Sequence, residues 1–100
     1  MQKKDGGVAE SKTVVREVKI QNKFGIHARP AALFVKTVSQ FQSDVQVEKD
    51  GMIASAKSIM GLLTLEGHQG AILKVTATGV DAEEAVTAIE ELVKNKFDED

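Results

Sequence analysis

Asp50-Gly51, set between two stretches of alternating apolar and polar residues, constrains the fold of this chain more than any other feature. Glycine accepts positive φ and aspartate tolerates it, so the pair reads as a tight hairpin turn. Before it, Val45 and Val47 alternate with Asp44, Gln46 and Glu48, the period of a half-buried strand. After it, Met52 to Ala56 should pair back as a second strand. Two neighbouring antiparallel strands are thereby set in mid-chain, and the remaining segments must be arranged about them.

On either side the period changes. Thr13 to Ile20 is rich in valine, with Val18 and Ile20 two apart, and predicts a strand with one buried face. Ala31, Phe34, Val35, Val38 and Phe41 recur at three- and four-residue intervals, predicting a helix from about Ala28 to Gln40. Ser58 to Leu65 is too short to stand alone as a helix and is broken by Gly61, so packing must hold it. Leu73, Val75 and Ala77 alternate with Lys74, Thr76 and Thr78 in a fourth strand. Asp81-Ala82-Glu83-Glu84 then offers a cap with acids in the first turn, opening a longer helix whose buried stripe should be Ala85, Ala88, Ile89, Leu92 and Val93. The order βαββαβα in 100 residues implies one domain, an α+β two-layer sandwich.

Composition narrows what such a domain does. With 13 Lys plus Arg against 15 Asp plus Glu, and four phenylalanines but no tyrosine or tryptophan, there is neither the basic footprint nor the stacking surface that nucleic-acid binding uses. The absence of cysteine excludes disulfides and thiolate chemistry, and with two histidines no metal site is expected. No cofactor is expected either. No apolar run approaches the roughly 20 residues that span a bilayer, and the first residues lack the apolar core of a secretory signal. The expected location is the cytoplasm, without membrane insertion.

Gly25-Ile26-His27-Ala28-Arg29-Pro30 concentrates the chemistry. Proline loses nothing in a first helical turn, so Pro30 places His27 at or just before the helix start. Helix N–H groups and the Arg29 fork would then meet an anion carried on the imidazole. A neutral imidazole has one free lone pair able to attack phosphorus. No acidic residue adjoins His27 in the sequence. The competing reading is a capping or core histidine, and for Arg29 a solvated side chain. Lys57-Ser58-Ile59-Met60-Gly61 is a second motif, with Ser58 in the position of a helix cap.

Together, Asn22-Lys23-Phe24-Gly25-Ile26-His27-Ala28-Arg29-Pro30-Ala31-Ala32, Ala54-Ser55-Ala56-Lys57-Ser58-Ile59-Met60-Gly61 and Gln69-Gly70-Ala71 resemble the HPr family, the histidine-containing phosphocarriers of the bacterial phosphoenolpyruvate-dependent sugar phosphotransferase system. The resemblance runs from about Val14 to Val93. It implies a four-stranded antiparallel sheet with three helices on one face. The HPr domain is expected over 13–97, with an acidic C-terminal tail over 98–100; residues 1–12, polar and without a hydrophobic period, lie outside the resemblance and are expected to form a flexible N-terminal arm.

The implied role is that of a carrier forming phosphohistidine, not a stand-alone enzyme. His27 would accept a phosphoryl group from enzyme I and pass it to the A domains of sugar-specific permeases, with Arg29 assisting. Ser58 would be phosphorylated by a dedicated ATP-dependent HPr kinase/phosphorylase, with a transcriptional regulator as a further partner. Lys36, Ile59, Met60 and Leu63 would contact partners, although core packing is the competing use of the apolar three. A regulatory paralogue in nitrogen-related or transcriptional control is the alternative. His68, in a glycine-flanked loop, reads as a solvent-facing residue. Phe24 departs from the pattern, standing where some members carry a small polar residue able to bond the phosphate or the helix end.

Overall fold

A computed structural model describes residues 12–99; residues 1–11 of the expected arm and Asp100 of the expected tail lie outside the described residues. The elements are β1 (Lys12–Lys19), α1 (Ala28–Val38), β2 (Asp44–Lys49), β3 (Met52–Ser55), α2 (Ile59–Thr64), β4 (Ile72–Gly79) and α3 (Ala82–Lys94), followed by a 3₁₀ turn over Lys96–Asp98. The predicted order βαββαβα is the observed one. Asp50 and Gly51 have φ of 52° and 84°, so the hairpin turn forms as its sequence implies, with Lys49 opposite Met52.

All strand pairs are antiparallel, in the spatial order β1-β4-β2-β3. The last strand in the chain therefore fills the gap between β1 and the hairpin. Register sets Val14, Ala77 and Val45 in one row and Arg16, Val75, Val47 and Ala54 in the next. Apart from Val14 and Arg16, which are half-buried, these side chains are buried. Their neighbours along each strand, such as Asp44, Gln46, Lys74 and Thr78, are exposed. One sheet face is dry and the other wet, so the helices gather on one side. There α3 packs on β1 and β4, and α1 packs on α3 and α2. Arg16 lies on the dry face of an edge strand, and its guanidinium reaches α3 at Glu83 (2.7 Å) and Glu90 (3.6 Å).

Two helices differ in detail from expectation. α1 ends at Val38, two residues early, because Gln40 N–H bonds Thr37 O and Phe41 N–H bonds Val38 O, a tightening that turns the chain toward β2. On α3 the buried residues are Ala82, Ala85, Val86, Ile89 and Val93, with Ala88 and Leu92 half-buried. The stripe is rotated toward Val86 because α3 faces α1 as well as the sheet.

Asp81 occupies the N-cap of α3, yet its side chain makes no cap bond. Its carboxylate instead accepts from Gln42 N–H and Ser43 N–H, both at 2.9 Å, and from the Ser43 hydroxyl. It thus ties the start of α3 to the turn before β2. The Ser43 hydroxyl bond, then the Gln42 amide, holds this carboxyl below its usual value of 3.8. A group depressed on folding contributes stability that is complete above its unfolded pKa and is lost as pH falls through the lower folded one. Asp81→Asn should lower the thermal midpoint at neutral pH by several degrees and shrink the gap to wild type on acidification below about pH 4, as followed by circular dichroism. Equal midpoints at neutral pH would contradict this role.

Candidate functional site

The segment joining β1 to α1 is held by its own backbone. Gly25 has φ +66°, and a Cβ there would lie 2.2 Å from Gly67 O and 2.9 Å from His68 Cα. That close approach lets Ile26 N–H bond Gly67 O at 2.7 Å, while Ile26 itself is buried. Asn22, fully buried, donates from Nδ2 to Gly25 O (2.7 Å) and to Glu99 Oε1 (3.0 Å). Both partners are acceptors, so the amide can face only one way, and Oδ1 is left buried without a partner among the described residues.

These contacts put His27 at the N-cap of α1 with extended backbone, φ −102° and ψ −166°. Its carbonyl accepts from Ala31 N–H, and its side chain makes no cap bond. Pro30 falls in the first turn, as expected from the sequence, so the turn's leading donors are the N–H groups of Ala28 and Arg29.

The imidazole has a partner that lies far off in sequence. Nε2 stands 2.8 Å from Glu99 Oε2, and Arg29 Nη1 lies 3.6 Å from the same oxygen. Arg29 also donates to Phe97 O at 3.4 Å. Lys96, Phe97 and Asp98 have φ of 55°, 53° and 60°, a left-handed run that turns the chain back after α3. Phe97 anchors the run in the core against Phe34, ring centroids 6.4 Å apart. Burial works to raise the Glu99 carboxyl, but the bonds from Asn22 and His27 and the charges of His27 and Arg29 outweigh it and hold the group below its ordinary value. Reading by sequence neighbours missed Glu99. The available signal was Phe97, a large apolar residue four beyond Val93 in a charged run.

Phe24 is 73% exposed and stands edge-on to the His27 ring at 6.4 Å, with Lys23 Nζ 5.5 Å from its centroid. Ser58 is the N-cap of α2, and its hydroxyl accepts from Gly61 N–H at 2.9 Å. The next two residues, Ile59 and Met60, are exposed, Met60 at 74%. Leu63 is half-buried against the core beside fully buried Leu62. α2 packs against α1, where Lys36 is exposed in the last turn. His68 is exposed.

The class of protein to which this sheet, with a histidine at the start of its first helix, belongs is given by its similarity to known proteins. The family model described as PTS HPr component phosphorylation site matches residues 14–95. The phosphocarrier protein HPr of Treponema pallidum is 41% identical over 87% of this chain and 99% of its own. An HPr crystal structure from Thermoanaerobacter tengcongensis superposes with TM-score 0.81 at 49% identity, covering 89% of this chain and 98% of that one. The HPr-like protein Crh of Halalkalibacterium halodurans is 42% identical over 76% of this chain and 90% of its own. The chain belongs to the HPr family of phosphotransferase-system phosphocarriers.

Gly25→Ala should destabilise the domain by more than about 2 kcal/mol in urea unfolding, since it combines a left-handed φ with a clash against backbone that cannot swing aside. Gly51→Ala, at φ +84° but with nothing within 4 Å of the added Cβ, should cost about 1 kcal/mol. Equal losses would show that the Gly25–Gly67 contact is not what holds the loop.

Proposed function

We propose that this chain is a cytoplasmic phosphocarrier that takes a phosphoryl group from phosphorylated enzyme I onto His27 and donates it to the A domains of sugar-specific permeases. The observation that carries the reading is the placement of His27 at the N-cap of an 11-residue helix, its ring not spent on capping. Because a carboxylate only accepts, the Nε2 that faces Glu99 carries the proton when the ring is neutral, and in that form Nδ1 keeps the lone pair. Attack by Nδ1 on phosphorus forms the N–P bond as the bond to the donor breaks. Transferred oxygens then meet the first-turn N–H groups and Arg29, which must leave its exposed contacts with Phe97 O and Glu99 to serve them. Among the described residues no helix is long and apolar enough to cross a membrane.

Ser58 is the proposed regulatory site, the substrate of an HPr kinase/phosphorylase. Exposed Ile59 and Met60, with Leu63 and Lys36, are the proposed contacts for partners. Similarity to a protein named HPr-like Crh favours one second reading, a regulatory paralogue whose phosphorylation is read by a transcriptional partner. Transfer from the loaded chain to a permease A domain separates the two, since the paralogue would load and not donate.

His27→Ala should fold and take up no acid-labile phosphate from phosphoenolpyruvate and enzyme I, as judged by mass spectrometry before and after acid. Label persisting on that variant, for instance on His68, would overturn the assignment.

Ser58→Asp keeps an oxygen for the Gly61 amide and should stay folded, while a charge beside Ile59 and Met60 should slow enzyme I-dependent loading by about tenfold or more, on the order of 1.4 kcal/mol. Ser58→Ala should load normally and lose about 1 kcal/mol of stability with its cap bond. Equal loading by all three proteins would leave Ser58 a cap alone.

A further inference from the structure

We infer that Glu99 is a positioning residue for His27, a carboxylate that fixes the ring proton on Nε2 and so presents the Nδ1 lone pair to phosphorus. This deepens the proposed function and rests on His27 being the acceptor.

The geometry is built for the purpose. Oε2 sits 2.8 Å from Nε2, while Oε1 is held by Asn22, which also bonds the carbonyl of Gly25 two residues before His27. One buried amide therefore aligns both the carboxylate and the loop that carries the ring. Phe97, fully buried, anchors the segment from the other side. Glu99 is also the least exposed of the three charged or chargeable side chains here, at 15% against 44% for His27 and 56% for Arg29. It is part of the folded site.

A neutral imidazole places its one proton according to the hydrogen bond offered at the opposite nitrogen. A carboxylate fixed at Nε2 selects the Nε2–H tautomer, as the aspartate of a catalytic triad orients its histidine. During loading, the Nδ1 pair becomes the N–P bond, the donor keeps the pair from the bond that breaks, and the proton stays on Nε2. The ring gains positive character, which Glu99 stabilises directly. On donation the pair returns to Nδ1 and the same neutral tautomer is restored, with no proton exchanged. Arg29 is the other charged group at this carboxylate and neutral Asn22 its remaining partner, while Phe24 stands edge-on to the ring itself. As Arg29 turns to the phosphoryl oxygens, the ring becomes the principal partner of the Glu99 charge.

The test compares wild type, Glu99→Gln and Glu99→Ala in the full chain. Nitrogen–proton NMR of the unloaded ring should show the Nε2–H form in wild type and a mixture of tautomers in Glu99→Ala. Loading by enzyme I and phosphoenolpyruvate should slow by about tenfold or more in kcat for Glu99→Ala, with KM for the chain changed less than about twofold. Glu99→Gln, which carries no charge and whose single amide oxygen can serve Nε2–H only by giving up the bond from Asn22, should fall between. A wild-type ring protonated on Nδ1, or a Glu99→Ala variant that matches wild type in tautomer and in kcat, would overturn the proposal. Failure of wild type to load would instead overturn His27 as acceptor, and the tautomer comparison would still decide whether Glu99 sets the ring.

Discussion

β4 is the strand on which the molecule closes. A two-stranded hairpin such as β2–β3 is marginal alone, and β1 has no neighbour of its own until β4 enters between them and hydrogen-bonds along both edges. Its inward residues Leu73, Val75 and Ala77 are fully buried on the face where the helices pack. The entry to this strand also shapes the site. Ile20 N–H bonds Ala71 O and Gly70 N–H bonds Ile20 O, so the 67–71 segment is pinned against the start of the loop that carries His27. Gly25 then leans on Gly67 at a distance only a glycine allows. Forming the central strand and placing the histidine are thus coupled, and a residue in neither helix nor strand inherits the rigidity of the core.

The site is assembled from three stretches of chain that meet at one helix end: Asn22 to Pro30, Gly67-His68, and Phe97 to Glu99. Backbone carries much of the positioning, which suits a small domain, because main-chain bonds do not depend on the rotamers of long side chains. The side chain that aligns most of the site is short and buried. Asn22 is fully enclosed and serves two acceptors at once, at the cost of an oxygen left without a partner among the described residues. The left-handed run from Lys96 to Asp98 is a second local cost, offset by burying Phe97.

Features governed by local chemistry were legible in the sequence. Asp50-Gly51 marks its turn, Pro30 places His27 at a helix start, and Ser58 reads as a cap and is one, because each signal acts within four residues. Features decided by packing were not. Asp81 looks like the cap of α3, but its carboxylate finds two amides and a hydroxyl around Ser43, a choice no helix-start pattern encodes. Val86 is buried because α3 has α1 beside it as well as the sheet, a neighbour that the spacing of apolar residues along α3 does not encode. Glu99 was the largest omission. Residues 98–100 read as an acidic C-terminal tail, and only the fold shows that Phe97 turns the chain so that Glu99 meets an imidazole 72 residues earlier.

A carrier needs a site that holds an anion without keeping it, and the exposures of the proposed site meet both demands. His27 and Arg29 are 44% and 56% exposed, so their attraction for a phosphoryl group is screened by water and stays modest. The contact that Arg29 makes with Glu99 before loading, at 3.6 Å and partly open to solvent, is weak enough to be surrendered to a phosphate dianion. Were the same groups buried, the loaded state would be stabilised more than the transition state on either side of it, and the domain would act as a sink. Glu99, the least exposed of these three side chains at 15%, faces the Nε2 side of the ring, where under the proposed mechanism it steadies the histidine without adding an attraction for the cargo. Rigidity is supplied from behind the imidazole and openness in front, which is the arrangement phosphoryl exchange in both directions requires.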